Sequence, residues 1–173
     1  LENDLENPEA LRELEILYER AKSYPELADI IDRRIALTED TGEQLVLLEK
    51  LGQVCVARLH DMERSADIWR RVLAIDGEHR RAQSELKKKF TAEGDWESLE
   101  WFFRTYGTLE EWIRTLETQA KSAASDREKS ALLLRAAKLW MDEIGDARRA
   151  VKNLEGVLQL DPRNEEAARK LLP

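Results

Sequence analysis

Apolar residues recur at spacings of three and four along almost the whole chain, and each run is cut by a turn signal. Behind Asn7-Pro8, where Asn can cap and Pro can sit in a first turn, Leu11, Leu14, Tyr18 and Ala21 fall on one helical face. Ser23 and Glu26 have capping-box spacing, and the helix they open turns Leu27, Ile31 and Ile35 inward. Asp40 with Glu43 opens a third helix carrying Leu47, Leu48, Leu51, Cys55 and Leu59, and Asp61 opens a fourth with Ser65, Trp69, Val72 and Leu73. A fifth helix is predicted from about Glu78 to Ala92. Gly94-Asp95 starts the next one, Gly107 stops it, and Thr108 with Glu111 caps another. Ser125 with Glu128, and then Asp146, open two more, and Asp161-Pro162 closes the latter. The pattern predicts about ten helices joined by turns so short that neighbours must lie antiparallel.

The chain also resembles itself. Residues 24–87, moved forward by 85 positions, fall on 109–172 without a gap. Identical residues meet at eleven positions, among them Glu26/Glu111, Leu47/Leu132, Leu48/Leu133, Asp61/Asp146, Val72/Val157, Asp76/Asp161 and Ala82/Ala167. Caps meet caps and core positions meet core positions. Such a chain is expected to be one all-α solenoid over residues 1–173, with an irregular break near Gly107.

Composition narrows the class. The chain has 173 residues, 42% hydrophobic and 37% charged, which is too apolar for disorder and too charged for a membrane protein. Only 7 Gly and 4 Pro punctuate it, and good helix formers dominate. A net charge of −8 repels phosphate backbones and suits basic segments of a partner. The local exception, Arg80, Arg81, Lys87, Lys88 and Lys89, reads as a solvated helix face. Cys55 is the only cysteine; it excludes an internal disulfide, reads as a small core residue, and leaves a reducing, cytoplasmic setting as the expectation.

Over about residues 8–173, and most closely over 127–167, the chain resembles the tetratricopeptide repeat family, a helix–turn–helix unit. Leu133, Ala137 and Trp140 stand at first-helix positions, Ala150 at the close helix crossing, Leu154 and Val157 beyond it, and Pro162 at the end. Leu48, Leu51-Gly52, Cys55, Ser65, Trp69 and Val72 form an earlier copy, with Gly77 in place of the Pro. A second pair type starts at Leu11, Leu14 and Tyr18 and recurs as Leu86, Phe90, Trp96, Leu99 and Phe103. Two departures stand out: one extra residue in the inter-helix turn of both well-matched pairs, and a surplus helix in the second block over 108–123. The resemblance implies a right-handed α-α superhelix, a divergent array of bacterial type belonging to a longer protein.

It also implies a non-catalytic scaffold that takes a peptide or helical segment on its concave face. Matching first-helix positions nominates Arg12, Ile16, Glu19, Glu49, Gln53, Val56, Ser84, Lys88, Thr91, Leu134, Lys138 and Met141. Glu49 and Gln53, and Leu134 and Lys138, stand where carboxylate-clamping members carry Lys and Asn, so that clamp is not expected. No catalytic residue, metal site or cofactor is expected. His60 and His79 have no ligand partner at suitable spacing, the carboxylates are spread over solvent faces, and the five tryptophans read as core, Trp101 least clearly. The partner expected is protein or peptide, not nucleic acid or membrane, with the chain a monomer or weak homo-oligomer. The rival readings are a structural, self-associating spacer and a helical repeat that binds RNA through Lys87–Lys89.

Overall fold

The computed structural model describes residues 7–171. Among them there are ten α-helices and no strand, so the all-helical expectation holds. They are α1 (Pro8–Ala21), α2 (Tyr24–Leu37), α3 (Thr41–Val54), α4 (Met62–Ile75), α5 (Arg80–Glu93), α6 (Trp96–Tyr106), α7 (Leu109–Ser122), α8 (Asp126–Lys138), α9 (Ala147–Leu160) and α10 (Glu165–Leu171). The chain divides into two compact units, the first running to Trp96 and the second from Glu97.

The caps explain the boundaries. The first free N–H groups of a helix need acceptors, and short polar side chains supply them. Asn7 accepts from the Glu9 N–H at 2.9 Å, Asp40 from Glu43 at 2.6 Å, Asp61 from Arg64 at 2.9 Å and Asp146 from Arg149 at 3.1 Å. Thr108 and Glu111 form a full capping box, each taking the other's backbone N–H. Ser125 takes the Glu128 N–H at 3.2 Å, but the Glu128 carboxylate reaches back to Ala124 instead. The box expected at Ser23 and Glu26 does not form: Ser23 makes no side-chain cap bond, and Pro25 in the first turn has no N–H to satisfy. Gly107 ends the sixth helix, and a Cβ there would stand 2.9 Å from the Phe103 ring. α6 thus ends at Tyr106 and α7 begins at Leu109.

The extra residue noted in the two turns is absorbed inside the helices. α3 continues into a π-helical turn, Cys55–Leu59, and α8 into another, Leu139–Ile144. A π turn holds one residue more than an α turn. Each ends on a left-handed residue, His60 at φ 54° and Gly145 at φ 79°. Each then closes alike: the Asp61 N–H donates to the Cys55 carbonyl at 3.0 Å, and Asp146 to Trp140 at 2.8 Å.

The 85-residue offset now extends to whole elements. α2 and α7, and α4 and α9, match end for end, while α3/α8 and α5/α10 start in register. α1 pairs with α6, where Leu14/Leu99 and Glu15/Glu100 are identical. This corrects the surplus-helix reading. The helix over 109–122 is the counterpart of α2, and Trp96, Leu99 and Phe103 repeat Leu11, Leu14 and Tyr18. Each unit holds one five-helix set.

Sequential helices pack as neighbours from α1 to α5 and from α7 to α10, α6 meets α7 through the stacked rings of Phe103 and Trp112, and alternate helices meet through side chains, which gives two layers in each unit. In the first unit, α1, α3 and α5 form one layer and α2 and α4 the other. In the second, α6, α8 and α10 face α7 and α9. The core lies between the layers. Leu11, Leu27, Ile31, Leu51, Val72 and Leu86 are buried in the first unit, and Leu99, Trp112, Leu116, Leu154, Val157 and Ala167 in the second. Leu14 and Tyr18 are half-buried, but Ala21 is exposed.

Candidate functional site

The odd-numbered layer of the first unit carries nine of the nominated side chains. On α1, Arg12, Ile16 and Glu19 are all exposed, Ile16 at 50% despite its apolar side chain. On α3 and its π turn, Glu49 and Val56 are half-buried and Gln53 is exposed. On α5, Ser84 and Lys88 are exposed and Thr91 is half-buried. Three of these tie adjacent helices together. Arg12 reaches Glu43 at 3.2 Å, Glu19 reaches Lys50 at 2.7 Å, and Glu49 lies 3.4 Å from the His79 Nε2. His79 also caps α5, its Nδ1 accepting the Ala82 N–H at 3.2 Å.

The three nominees of the second unit behave differently. Leu134 and Met141 pack against the cluster of Ala137, Leu154, Val157 and Ala167, the last of these on α10. Lys138 holds Glu166 of α10 at 2.6 Å. Lys138 thereby ties α8 to that helix.

Beneath the first surface runs a charge network that the sequence reading did not single out. Glu15 of α1 is only 6% exposed, yet it takes bonds from Arg34 of α2 and from Lys50 of α3, the latter at 2.7 Å. Arg34 reaches on to Glu43 at 2.7 Å. Burial works against the Glu15 charge, but the hydrogen bonds from Lys50 and Arg34 outweigh it and hold the carboxyl below its ordinary value. The same bridge recurs at the 85-residue offset, where Glu100 of α6 meets Arg135 of α8 at 2.6 Å and Arg104 at 2.7 Å. Its carboxyl is also held low, burial again being outweighed by the two arginines. A signal was present: acid at 15 and 100, base at 50 and 135.

The basic run on α5 is not uniformly solvated. Lys89 is buried at 8% exposure and pinned by Glu63 at 2.8 Å and Glu93 at 2.7 Å, which removes it from the cationic surface. Of the tryptophans, Trp69, Trp112 and Trp140 are buried. Trp101 is 43% exposed and forms a T-shaped pair with Tyr106 at 5.8 Å. Cys55 is fully buried, and burial pushes its thiol upward. No helix among the described residues is long and apolar enough to cross a membrane. No protein-family model and no curated protein matches the chain.

Proposed function

We propose that the chain is a tetratricopeptide-like interaction scaffold that holds a peptide or helical segment of another protein on the odd-numbered layer of its first unit. The supporting observation is Ile16, a half-exposed apolar side chain set among the charged Arg12 and Glu19 and continued by exposed Gln53, Ser84 and Lys88 on α3 and α5. An apolar anchor inside a polar rim is the arrangement that peptide grooves use. The network of Glu15, Arg34 and Lys50 underneath links α1, α2 and α3, which favours a surface arranged before anything binds.

The test is selection of a displayed peptide library on the immobilised chain. Selected peptides are expected to lose at least tenfold in affinity to an Ile16→Asp/Lys88→Glu double variant, whose changes touch exposed positions only. Peptides that bind the variant unchanged would place recognition elsewhere. A chain that selects nothing and sediments as a concentration-dependent oligomer would favour the spacer reading instead.

A further inference from the structure

A groove of about 470 Å³ opens between α7, α8 and α9 in the second unit. The first unit shows how the equivalent place can be closed. There Asp32 of α2 takes Arg64 at 2.8 Å and Arg71 at 3.2 Å, both from α4, and Ile35 and Ile68 of the same two helices are buried. At the 85-residue offset Ile35 becomes Ala120, Ile68 becomes Asn153 and Arg71 becomes Gly156. Bulk and one guanidinium are removed together.

The acceptor remains. Glu117 stands at the position of Asp32, half-buried on the groove wall. One of its oxygens takes the Trp140 indole N–H at 2.9 Å and the Asn153 amide at 2.8 Å, both neutral donors. Arg149, the counterpart of Arg64, has turned away: it lies over the Trp140 ring at 4.5 Å and pairs with Asp146 at 3.3 Å. Among the described residues no cation is in ion-pair contact with Glu117. The rim changes sign as well. Lys121, Lys129 and Lys152 line the groove where the first unit has Ala36, Gln44 and Asp67, and none of the three has an ion-pair partner among the described residues. Glu155, also on the rim, is the single further acid.

We infer that this groove receives an arginine of a partner peptide, which takes the place that Arg71 fills in the first unit, with acidic residues beside it in the peptide meeting Lys121, Lys129 and Lys152. A planar guanidinium is the donor that a half-buried carboxylate oxygen recognises best, and the lysine rim selects carboxylates next to it. The three lysines also disfavour a peptide that is basic throughout. This surface is separate from that of the proposed scaffold function, so either can fail alone.

The probe is a fluorescein-labelled, end-blocked peptide Glu-Glu-Arg-Glu-Glu, with versions carrying Ala for Arg or Gln for every Glu, titrated by anisotropy. Wild-type protein is expected to bind the parent probe at least tenfold more tightly than either version. Gly156→Arg, which supplies the missing guanidinium internally, is expected to abolish that preference. Its new Cβ would lie 3.1 Å from the end of the flexible Leu133 side chain, so circular dichroism accompanies it. Lys121→Glu/Lys152→Glu, at exposed positions, is expected to weaken the parent probe at least tenfold without touching the fold. Equal binding of the Ala version, unchanged binding by the lysine variant, or no binding by wild type would each overturn the inference.

Discussion

Between α3 and α4 an indole comes from the second helix of the pair; between α8 and α9 it comes from the first. Trp69 of α4 lies over Gly52, where an added Cβ would stand only 2.7 Å from the ring. In the later pair the glycine position is Ala137, the Trp69 position is Leu154, and the bulk is returned by Trp140 at the position of Cys55. All of these side chains are buried. The two pairs thus keep the interhelical space filled while moving its largest occupant across the interface. The move has an electrical side. Trp140 finds Glu117 for its indole N–H, whereas the Trp69 N–H is buried with no partner, a deficit of roughly 1–3 kcal/mol. What a repeat preserves here is total volume and closeness of approach, not the residue at each place.

The sharpest way to break this comparison is to move the indole. Trp69→Leu alone is expected to cost about 2–4 kcal/mol, because the leucine leaves a cavity that nothing refills. Adding Gly52→Ala and Cys55→Trp rewrites the pair as its later counterpart and is expected to recover most of that loss in urea unfolding. A triple variant no more stable than Trp69→Leu would mean that the pairs are not interchangeable.

Next comes the bridge that both units share. Glu15→Gln takes the shared buried carboxylate from Lys50 and the mostly buried Arg34, which keep Glu19 and Glu43, and is expected to cost about 1–2 kcal/mol. Glu100→Gln, at a more open site, should cost about half as much. Equal losses would mean that burial is not what separates the two sites.

Acid titration sharpens the same contrast. Both carboxyls sit below the ordinary 4.5 in the folded chain. The stabilisation is therefore complete above that value and is lost as pH falls through the lower folded one. Urea midpoints of wild type and Glu15→Gln should differ at neutral pH and draw together as pH falls below 4.5 and through the lower folded value. A gap that persists into stronger acid would assign the effect to packing.

The smallest effect tests the ends of the π turns. Gly145→Ala is expected to cost about 1 kcal/mol through left-handed backbone strain alone, since no atom lies within 4 Å of the new Cβ. His60→Gly at the equivalent place should gain about 0.5 kcal/mol.

Helix number and boundaries were legible because each boundary is local. A cap and the N–H it satisfies lie two or three residues apart, so Asp40, Asp61, Thr108 and Asp146 announce themselves. The Ser23 exception is also local, since a proline two residues on changes which N–H groups need a partner. The five-helix frame was harder. Aromatic spacing alone matched α1 to α5, and only the offset of whole elements shows that its counterpart is α6. Nor was the placement of charges legible. Glu15 and Lys50 are 35 residues apart and meet only once α1 and α3 lie in register. Lys89 looks like its neighbours Lys87 and Lys88 until α4 brings Glu63 to it. The groove of the second unit lay in the same blind spot, because a glycine reads as a vacancy only against the Arg71 of the other copy.

Cys55 begins the first π turn, sealed from solvent and with its thiol pushed upward by burial. Only a thiolate reacts readily with an alkylating reagent, so the intact turn keeps this sulfur silent. It can react only when the end of α3 comes apart, and the labelling rate therefore counts those openings. The twin position holds Trp140, which is inert to the reagent. The chain thus contains a native clock wired to one of its two halves, able to time the opening of the first while the second keeps no record.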